Sequence, residues 1–136
     1  MKGMPPKPSI LVIDDDESMR FMLQTKLFQS GFNVTLAASG SHAIQIFQSG
    51  KKFDLIISDL KMPLKTGIDV IRFMKDNDIQ IPTVILTGFP ERDKIIAAAQ
   101  MGIQDVLVKP VRHNDLMNMI RSKLGDQEDD AQNQAS

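Results

Sequence analysis

The 136-residue chain is 42% hydrophobic and 24% charged, with a formal net charge of −1, which suits one domain with a core but not two. It contains no cysteine, so disulfides and thiolate metal sites are excluded. It lacks an apolar stretch approaching the ~20 residues that span a bilayer and the apolar core of a signal peptide. We therefore expect a cytoplasmic protein without a membrane segment.

The charges are spread unevenly along the chain. Residues 125–136 contain four acidic residues and no basic one, which leaves 13 acidic against 16 basic residues in 1–124. This small positive excess, in a chain without tryptophan or tyrosine, argues against direct nucleic-acid binding. We expect a flexible leader at 1–8, one domain at 9–124 and a disordered acidic tail at 125–136.

Five strand signals alternate with five helix signals along the chain. The first strand covers about residues 9–14, and later strands surround Val34, end at Asp59, follow Pro82 and end at Lys109. The intervening segments carry apolar residues at helical spacing, and in the first helix these are Met19, Met22, Leu23 and Leu27.

Several residues predict where the helices begin. Asp16 suits the N-cap of the first helix. The stretch Thr66-Gly67-Ile68-Asp69 resembles a capping box with Asp at its fourth position. Pro90 suits the first turn of the fourth helix, where its missing N–H has no partner to lose.

The predicted strands are apolar throughout, which indicates burial on both faces of a sheet. Alternation of strands and helices predicts a parallel sheet with right-handed crossovers, a doubly wound α/β fold. In such folds ligands bind beyond the carboxyl ends of the strands. Five polar residues follow or end these strands, and we expect them to meet at one edge: Asp14, Asp15, Asp59, Thr87 and Lys109.

The types of these residues suit phosphoryl chemistry. Three converging carboxylates repel one another unless a cation lies among them, and Mg²⁺ prefers such oxygen ligands. An Asp can also attack a phosphoryl group and form an aspartyl phosphate. A lysine and a hydroxyl then bind the phosphoryl oxygens, for which Lys109 and Thr87 are suited.

Four blocks of the chain resemble the signature blocks of bacterial response-regulator receiver domains. They are Val12-Ile13-Asp14-Asp15-Asp16-Glu17-Ser18-Met19-Arg20, Ser58-Asp59-Leu60-Lys61-Met62-Pro63, Ile85-Leu86-Thr87-Gly88 and Val108-Lys109-Pro110. The resemblance covers residues 8–124. It implies a flavodoxin-like fold with strand order 2-1-3-4-5 and five helices. It also implies that a sensor histidine kinase or a phosphotransfer protein donates a phosphoryl group to Asp59, so the chain is a signalling phosphoacceptor rather than an enzyme acting on other substrates.

The resemblance also implies a role for each matching position. Asp15 binds Mg²⁺ directly, Asp14 binds it through water, and Asp59 is both ligand and phosphoacceptor. The backbone carbonyl of Lys61 is a further ligand. Thr87, which precedes Gly88, moves toward the phosphoryl group, Lys109 pairs with that group, and the Lys109–Pro110 bond is cis. The output is a changed surface of helix 4, strand 5 and helix 5, read by another protein or by a second copy of the chain.

Two positions depart from the pattern of that family. Val106 stands on the fifth strand where the family commonly has an aromatic residue, and Phe89-Pro90 follows Thr87-Gly88 and makes that loop more apolar and stiffer. We expect coupling from Thr87 to run through helix 4 packing or another residue. We also hypothesise that Lys61 and Phe89 flank the phosphoryl group and set the access of water to it.

Three alternative functions use a similar fold or chemistry. A hydrolase of the haloacid-dehalogenase type needs a second Asp two residues after its nucleophile, where this chain has Lys61. A flavin-binding module needs a loop rich in Ser, Thr and Gly after the first strand, where Asp14-Asp15-Asp16-Glu17 would repel the flavin phosphate. A phosphate-independent interaction module needs no acceptor chemistry, yet all five family positions are intact.

Overall fold

The computed structural model of the chain describes residues 6–62 and 66–125. Strands and helices alternate along these residues, as the sequence predicts. The elements are β1 (Ser9–Ile13), α1 (Glu17–Gln29), β2 (Asn33–Ala37), α2 (Gly40–Gln48), β3 (Leu55–Ser58), α3 (Gly67–Asp76), β4 (Thr83–Thr87), α4 (Arg92–Gln100), β5 (Asp105–Val108) and α5 (His113–Leu124). The predicted turn at Pro63, residues 1–5 of the predicted leader and residues 126–136 of the predicted tail lie outside the described residues.

The five strands form one parallel sheet in the order β2-β1-β3-β4-β5, which confirms the predicted fold and strand order. The chain moves outward from β1 to β2 and then crosses back to β3 on the other side of β1. This reversal of direction separates the loops that follow β1 and β3 and opens a crevice at their carboxyl ends. In the register of these strands Ile13 is paired with Ser58, so Asp14 and Asp59 come next, side by side.

Both faces of the sheet are covered by helices. Successive residues of β1 point to opposite faces: Ile10 and Val12 belong to a core cluster with residues of α1 and α5, whereas Leu11 and Ile13 belong to a cluster with residues of α2 and α3. A third cluster joins the sheet to α3 and α4. This two-sided burial explains why the inner strands β1, β3 and β4 read as nearly continuous apolar runs, whereas the edge strand β2 is only partly buried and carries Asn33 and Thr35.

Helix starts follow the predicted caps in two of the three cases. The Asp16 carboxylate accepts from the N–H groups of Ser18 and Met19. Thr66 and Asp69 form the reciprocal capping box of α3. The chain therefore satisfies backbone donors close to the crevice with its own side chains.

The prediction that Pro90 lies in the first turn of the fourth helix is wrong. α4 begins at Arg92, and Glu91 is its extended N-cap residue, with φ −68° and ψ 123°. The Glu91 N–H donates to the Phe89 carbonyl at 2.8 Å. This tight turn keeps the chain extended past Pro90, which lies outside the helix. None of the helices in residues 6–62 and 66–125 is long and apolar enough to cross a membrane.

Candidate functional site

The sheet places two aspartates directly beyond the ends of its inner strands. The Asp14 N–H donates to the Ala37 carbonyl at 3.1 Å, and the Asp59 N–H donates to the Ile13 carbonyl at 2.9 Å. Each bond continues the parallel hydrogen-bonding pattern one residue past the strand. The sheet therefore fixes the backbone positions from which both aspartate side chains extend.

Asp14, Asp15 and Asp59 form an acidic cluster whose ligand oxygens all lie within 4.8 Å of one another. Asp14 is 2% exposed and Asp59 is 7% exposed, while Asp15 faces solvent. Three carboxylates this close favour a cation among them, and an all-oxygen donor set with one open side fits a hard ion that keeps some of its waters. The residues present therefore fit Mg²⁺.

Lys109 joins the two buried members of this cluster. Its Nζ lies 2.7 Å from Asp14 Oδ2 and 2.9 Å from Asp59 Oδ2. The Lys109 N–H also donates to the Thr87 carbonyl at 2.9 Å, which anchors the lysine where β5 leaves the sheet. The Lys109–Pro110 bond is cis.

Burial and ion pairing shift the pKa values of two groups at this site, the Asp14 carboxyl and the Lys109 ammonium group. Burial raises the pKa of the Asp14 carboxyl above its ordinary value, although bonds from Lys109 and from the Asp16 N–H act in the opposite direction. Burial by itself lowers the pKa of Lys109, but the hydrogen bonds and charges of Asp14 and Asp59 together outweigh it and raise that pKa. The lysine is therefore a permanent cation at neutral pH.

Thr87 ends β4 and is fully buried. Its hydroxyl oxygen accepts from the Phe89 N–H at 3.2 Å. Gly88 lies between Thr87 and Phe89 in the chain. A Cβ added there would lie 3.9 Å from two side-chain carbons of Lys109, which is ordinary van der Waals contact. The β4–α4 loop therefore packs along the lysine that reaches the acidic cluster.

Lys61 and Phe89 come together at the rim of the crevice. The Lys61 N–H donates to Asp59 Oδ1 at 3.1 Å. The Lys61 Nζ lies 4.3 Å from the centroid of the Phe89 ring, and Phe89 is 62% exposed. Both residues therefore lie beside the acidic cluster, and their direct cation–π contact is a feature that the sequence did not predict.

Val106 lies in the interior of β5, paired with Ile85 of β4. It is partly buried and packs on the cluster of Leu60, Ile71, Ile85 and Ala98. An aliphatic side chain therefore occupies the position at which an aromatic residue is common in the family that the sequence resembles.

Three residues that sequence reasoning left without a role support the site. Arg20 Nη1 donates to the Asp14 carbonyl at 2.7 Å, and the Ser58 hydroxyl donates to the Asp59 carbonyl at 2.9 Å. Gly67 approaches so closely that an added Cβ would collide with the Asp59 carbonyl and the Leu60 Cα. Glycine directly after a helix-capping threonine was the one available signal of that approach.

Comparison with known proteins points in the same direction as the geometry. The chemotaxis protein CheY of Pseudomonas aeruginosa is 36% identical over 104 residues, which cover 74% of this chain and 83% of that protein. A probable transcriptional regulator, ycf27, of Porphyridium aerugineum is 35% identical over 118 residues, which cover 87% of this chain and 48% of that protein. The chain thus spans about half the length of this longer relative.

A solved structure shares the fold. The response regulator receiver domain protein from Clostridium thermocellum superposes with a TM-score of 0.79 at 31% identity, covering 89% of this chain and 97% of that chain. The family model described as the response regulator receiver domain matches residues 10–121. An acidic cluster at a flavodoxin-like switch point, and a family match over most of the chain, show that the chain belongs to the response regulator receiver domain family of two-component systems.

Proposed function

We propose that the chain accepts a phosphoryl group on Asp59, with Mg²⁺ bound, from a sensor histidine kinase or a phosphotransfer protein. The observation that carries this proposal is the placement of Lys109, whose Nζ contacts both Asp14 and Asp59 inside the acidic cluster. One cation is already in position there, and the three carboxylates can hold a second. Together they offset the charge of an incoming phosphoryl group.

In the proposed reaction a carboxylate oxygen of Asp59 attacks the phosphorus atom. The bond between phosphorus and the imidazole nitrogen of the donor breaks, and that nitrogen keeps the electron pair. Asp59 is oriented for this attack, because Lys109 donates to Oδ2 and the Lys61 N–H donates to Oδ1. Both contacts hold the carboxylate in one rotamer before the donor arrives.

The remaining residues bind the product. Asp15, Asp59 and the Lys61 carbonyl would hold Mg²⁺ directly and Asp14 would hold it through water, and the bound ion would supply positive charge to the phosphoryl oxygens. Lys109 exchanges a carboxylate contact for a phosphoryl oxygen. The Thr87 hydroxyl, which accepts from the Phe89 N–H in this structure, turns to donate to another phosphoryl oxygen.

We also propose that the output surface comprises α4, β5 and α5. Ile96 on α4 is 46% exposed and Val108 on β5 is 51% exposed, so apolar side chains face solvent on this side. Phosphorylation shifts the population of this surface between two states, and a partner protein or a second copy binds one of them.

The test of phosphoryl acceptance is a mass measurement with a small-molecule donor. Incubation with Mg²⁺ and acetyl phosphate adds about 80 Da, the mass of one phosphoryl group. The Asp59→Asn variant gains nothing, and Asp76→Asn, an exposed aspartate at the end of α3, gains the same mass as the original chain.

Two results contradict the proposal. One is a full mass gain in Asp59→Asn. The other is no gain in the original chain with either acetyl phosphate or a phosphorylated histidine kinase. Rapid turnover of phosphate esters without a kinase would favour the hydrolase alternative instead.

A further inference from the structure

Phe89 makes three contacts that connect the acceptor site to α4. The Lys61 Nζ lies 4.3 Å from the centroid of its ring. The Phe89 N–H donates to the Thr87 hydroxyl oxygen at 3.2 Å. Its carbonyl accepts from the N–H of Glu91, the N-cap residue of α4, at 2.8 Å.

Two of these contacts involve groups that a phosphoryl group on Asp59 attracts. The Lys61 N–H donates to an Asp59 oxygen, so the lysine stem starts next to the acceptor and its ammonium group is within reach of a phosphoryl oxygen. A full negative charge attracts an ammonium group more strongly than the face of an exposed ring does. The Thr87 hydroxyl is the other group, as the proposed function requires.

On β5, next to the strand that ends at Thr87, the interior position paired with Ile85 holds a valine. Val106 is a short aliphatic side chain packed on Ile85 and its neighbours. A β-branched valine is restricted at χ1, so a change in its side-chain conformation is small. The ring of Phe89, two residues after Thr87, is 62% exposed, so a change in its position breaks few packing contacts.

We propose that Phe89 couples the acceptor site to the start of α4. Phosphorylation of Asp59 removes Lys61 from its ring and Thr87 from its N–H, and the released residue then moves the N-cap of α4 through its carbonyl contact with Glu91. The proposal rests on phosphoryl acceptance by Asp59. It adds the route by which the change at the site reaches α4.

The first test uses nuclear magnetic resonance of the lysine side chains. In the resting protein the Cε protons of Lys61 are shifted upfield by the ring current of Phe89, and Phe89→Leu abolishes this shift without any phosphoryl mimic. Addition of Mg²⁺ and beryllofluoride, a phosphoryl mimic, moves the Lys61 signal of the original chain to the position that this signal has in the Phe89→Leu variant. Lys7, which stacks on exposed Phe28 at 5.7 Å, supplies a matched pair whose signals stay in place.

The second test measures beryllofluoride affinity in a double-mutant cycle. Phe89→Leu frees Lys61 and tightens binding roughly two- to fivefold, the size expected for loss of an exposed cation–π contact. Phe28→Leu binds like the original chain. In the Lys61→Gln background, Phe89→Leu has no further effect, which a merely structural role of the ring would not produce.

The outcomes separate this inference from the proposed function. Beryllofluoride binding with an unmoved Lys61 signal, or an equal effect of Phe89→Leu in both backgrounds, overturns the role of Phe89 and leaves phosphoryl acceptance standing. Absence of any beryllofluoride binding to the original chain, together with no mass gain from acetyl phosphate, overturns both.

Discussion

At the scale of single residues, Lys109 determines the electrostatics of the site. Asp14 and Asp59 are both buried and carry like charges, and Lys109 donates to each of them. Under the proposed function the same ammonium group would also contact the phosphoryl product. A single cation would then balance both the resting carboxylates and the charge that develops during transfer.

Replacing Lys109 tests that balance. Lys109→Met keeps the length of the side chain and removes its charge, and we expect phosphorylation by acetyl phosphate to slow by roughly 100-fold. Lys123→Met breaks the half-buried ion pair between the end of α5 and Asp105 of β5; it is the control and keeps its rate. A Lys109→Met rate within twofold of the original would contradict the role of the lysine.

Asp14 makes stability depend on pH in a direction unusual for a carboxylate. Its pKa is raised in the folded chain, mainly by burial, so the folded state holds this proton more tightly than the unfolded state. Stability from this group is present below pH 3.8 and is lost as pH rises through the raised pKa. In magnesium-free buffer, Asp14→Asn should therefore be the more stable protein at pH 7.

Urea denaturation at a series of pH values checks this prediction. The stability difference between Asp14→Asn and the original chain should be close to zero near pH 3.8 and grow to a plateau above the raised pKa. Added Mg²⁺ should narrow the difference, since binding stabilises the chain that retains Asp14. An Asp14→Asn chain that is less stable than the original at pH 7 without Mg²⁺ would refute this prediction.

Lys61 and Phe89 should control how long the phosphorylated form lasts. A Lys61 side chain over the phosphoryl group limits the access of water, and loss of that cover speeds hydrolysis. We expect Lys61→Ala to shorten the lifetime roughly threefold, and Phe89→Leu to lengthen it because the lysine is freed from the ring. Timed loss of the added mass measures both, and lifetimes that are unchanged in both variants discard the hypothesis.

Among the elements, α3 begins in unusually close contact with the segment that follows β3, at Asp59 and Leu60. Its first residue, Gly67, donates its N–H to the Leu60 carbonyl at 3.1 Å, and the preceding Thr66 caps the helix. The absence of a side chain at Gly67 lets the helix start directly behind Asp59. Helix α3 therefore supports the backbone at Asp59, the proposed phosphoacceptor.

Adding one methyl group at that contact should disturb the site. Gly67→Ala at the first position of α3 gains less than the ~1 kcal/mol that the change gives in a helix interior, and its Cβ meets backbone atoms of Asp59 and Leu60. We expect a net loss of about 1–3 kcal/mol in the free energy of unfolding, measured with urea. Gly88→Ala, whose Cβ makes an ordinary contact with Lys109, should stay within about 0.5 kcal/mol. Equal stabilities of the two variants would argue against the close approach.

For the whole molecule, the exposed apolar residues Ile96 on α4 and Val108 on β5 offer a surface at which a second copy of the chain could bind. If a second copy reads the α4–β5–α5 surface, beryllofluoride and Mg²⁺ should double the mass of the chain measured by light scattering. Val108→Glu should keep it monomeric, because an ionised side chain is costly to bury. Phe21→Glu on α1, at a residue that is 69% exposed, is the control. A monomer under all conditions would contradict the homodimer.

Local patterns in the sequence were enough to predict the alternation of elements, two of the three predicted helix starts and the polar residues at the strand ends. These features depend on neighbours a few positions apart: apolar spacing, a cap such as Asp16, or the pair Thr66 and Asp69. The strand order came from resemblance to a family, because apolar periodicity shows that a strand is buried but not which strand lies beside it.

The contacts between residues that are far apart in the chain depend on how the whole domain packs. Lys109 bonds to Asp14 across 95 positions and to Asp59 across 50, and no local pattern contains these distances. The stacking of Lys61 on Phe89 and the approach of Gly67 to Asp59 depend equally on strand register and helix packing. The late start of α4 follows from a backbone turn at Phe89 and Glu91 that a proline signal does not reveal. The physical reason is that side-chain pattern acts over one or two turns of chain, whereas the site is assembled by the packing of the whole sheet.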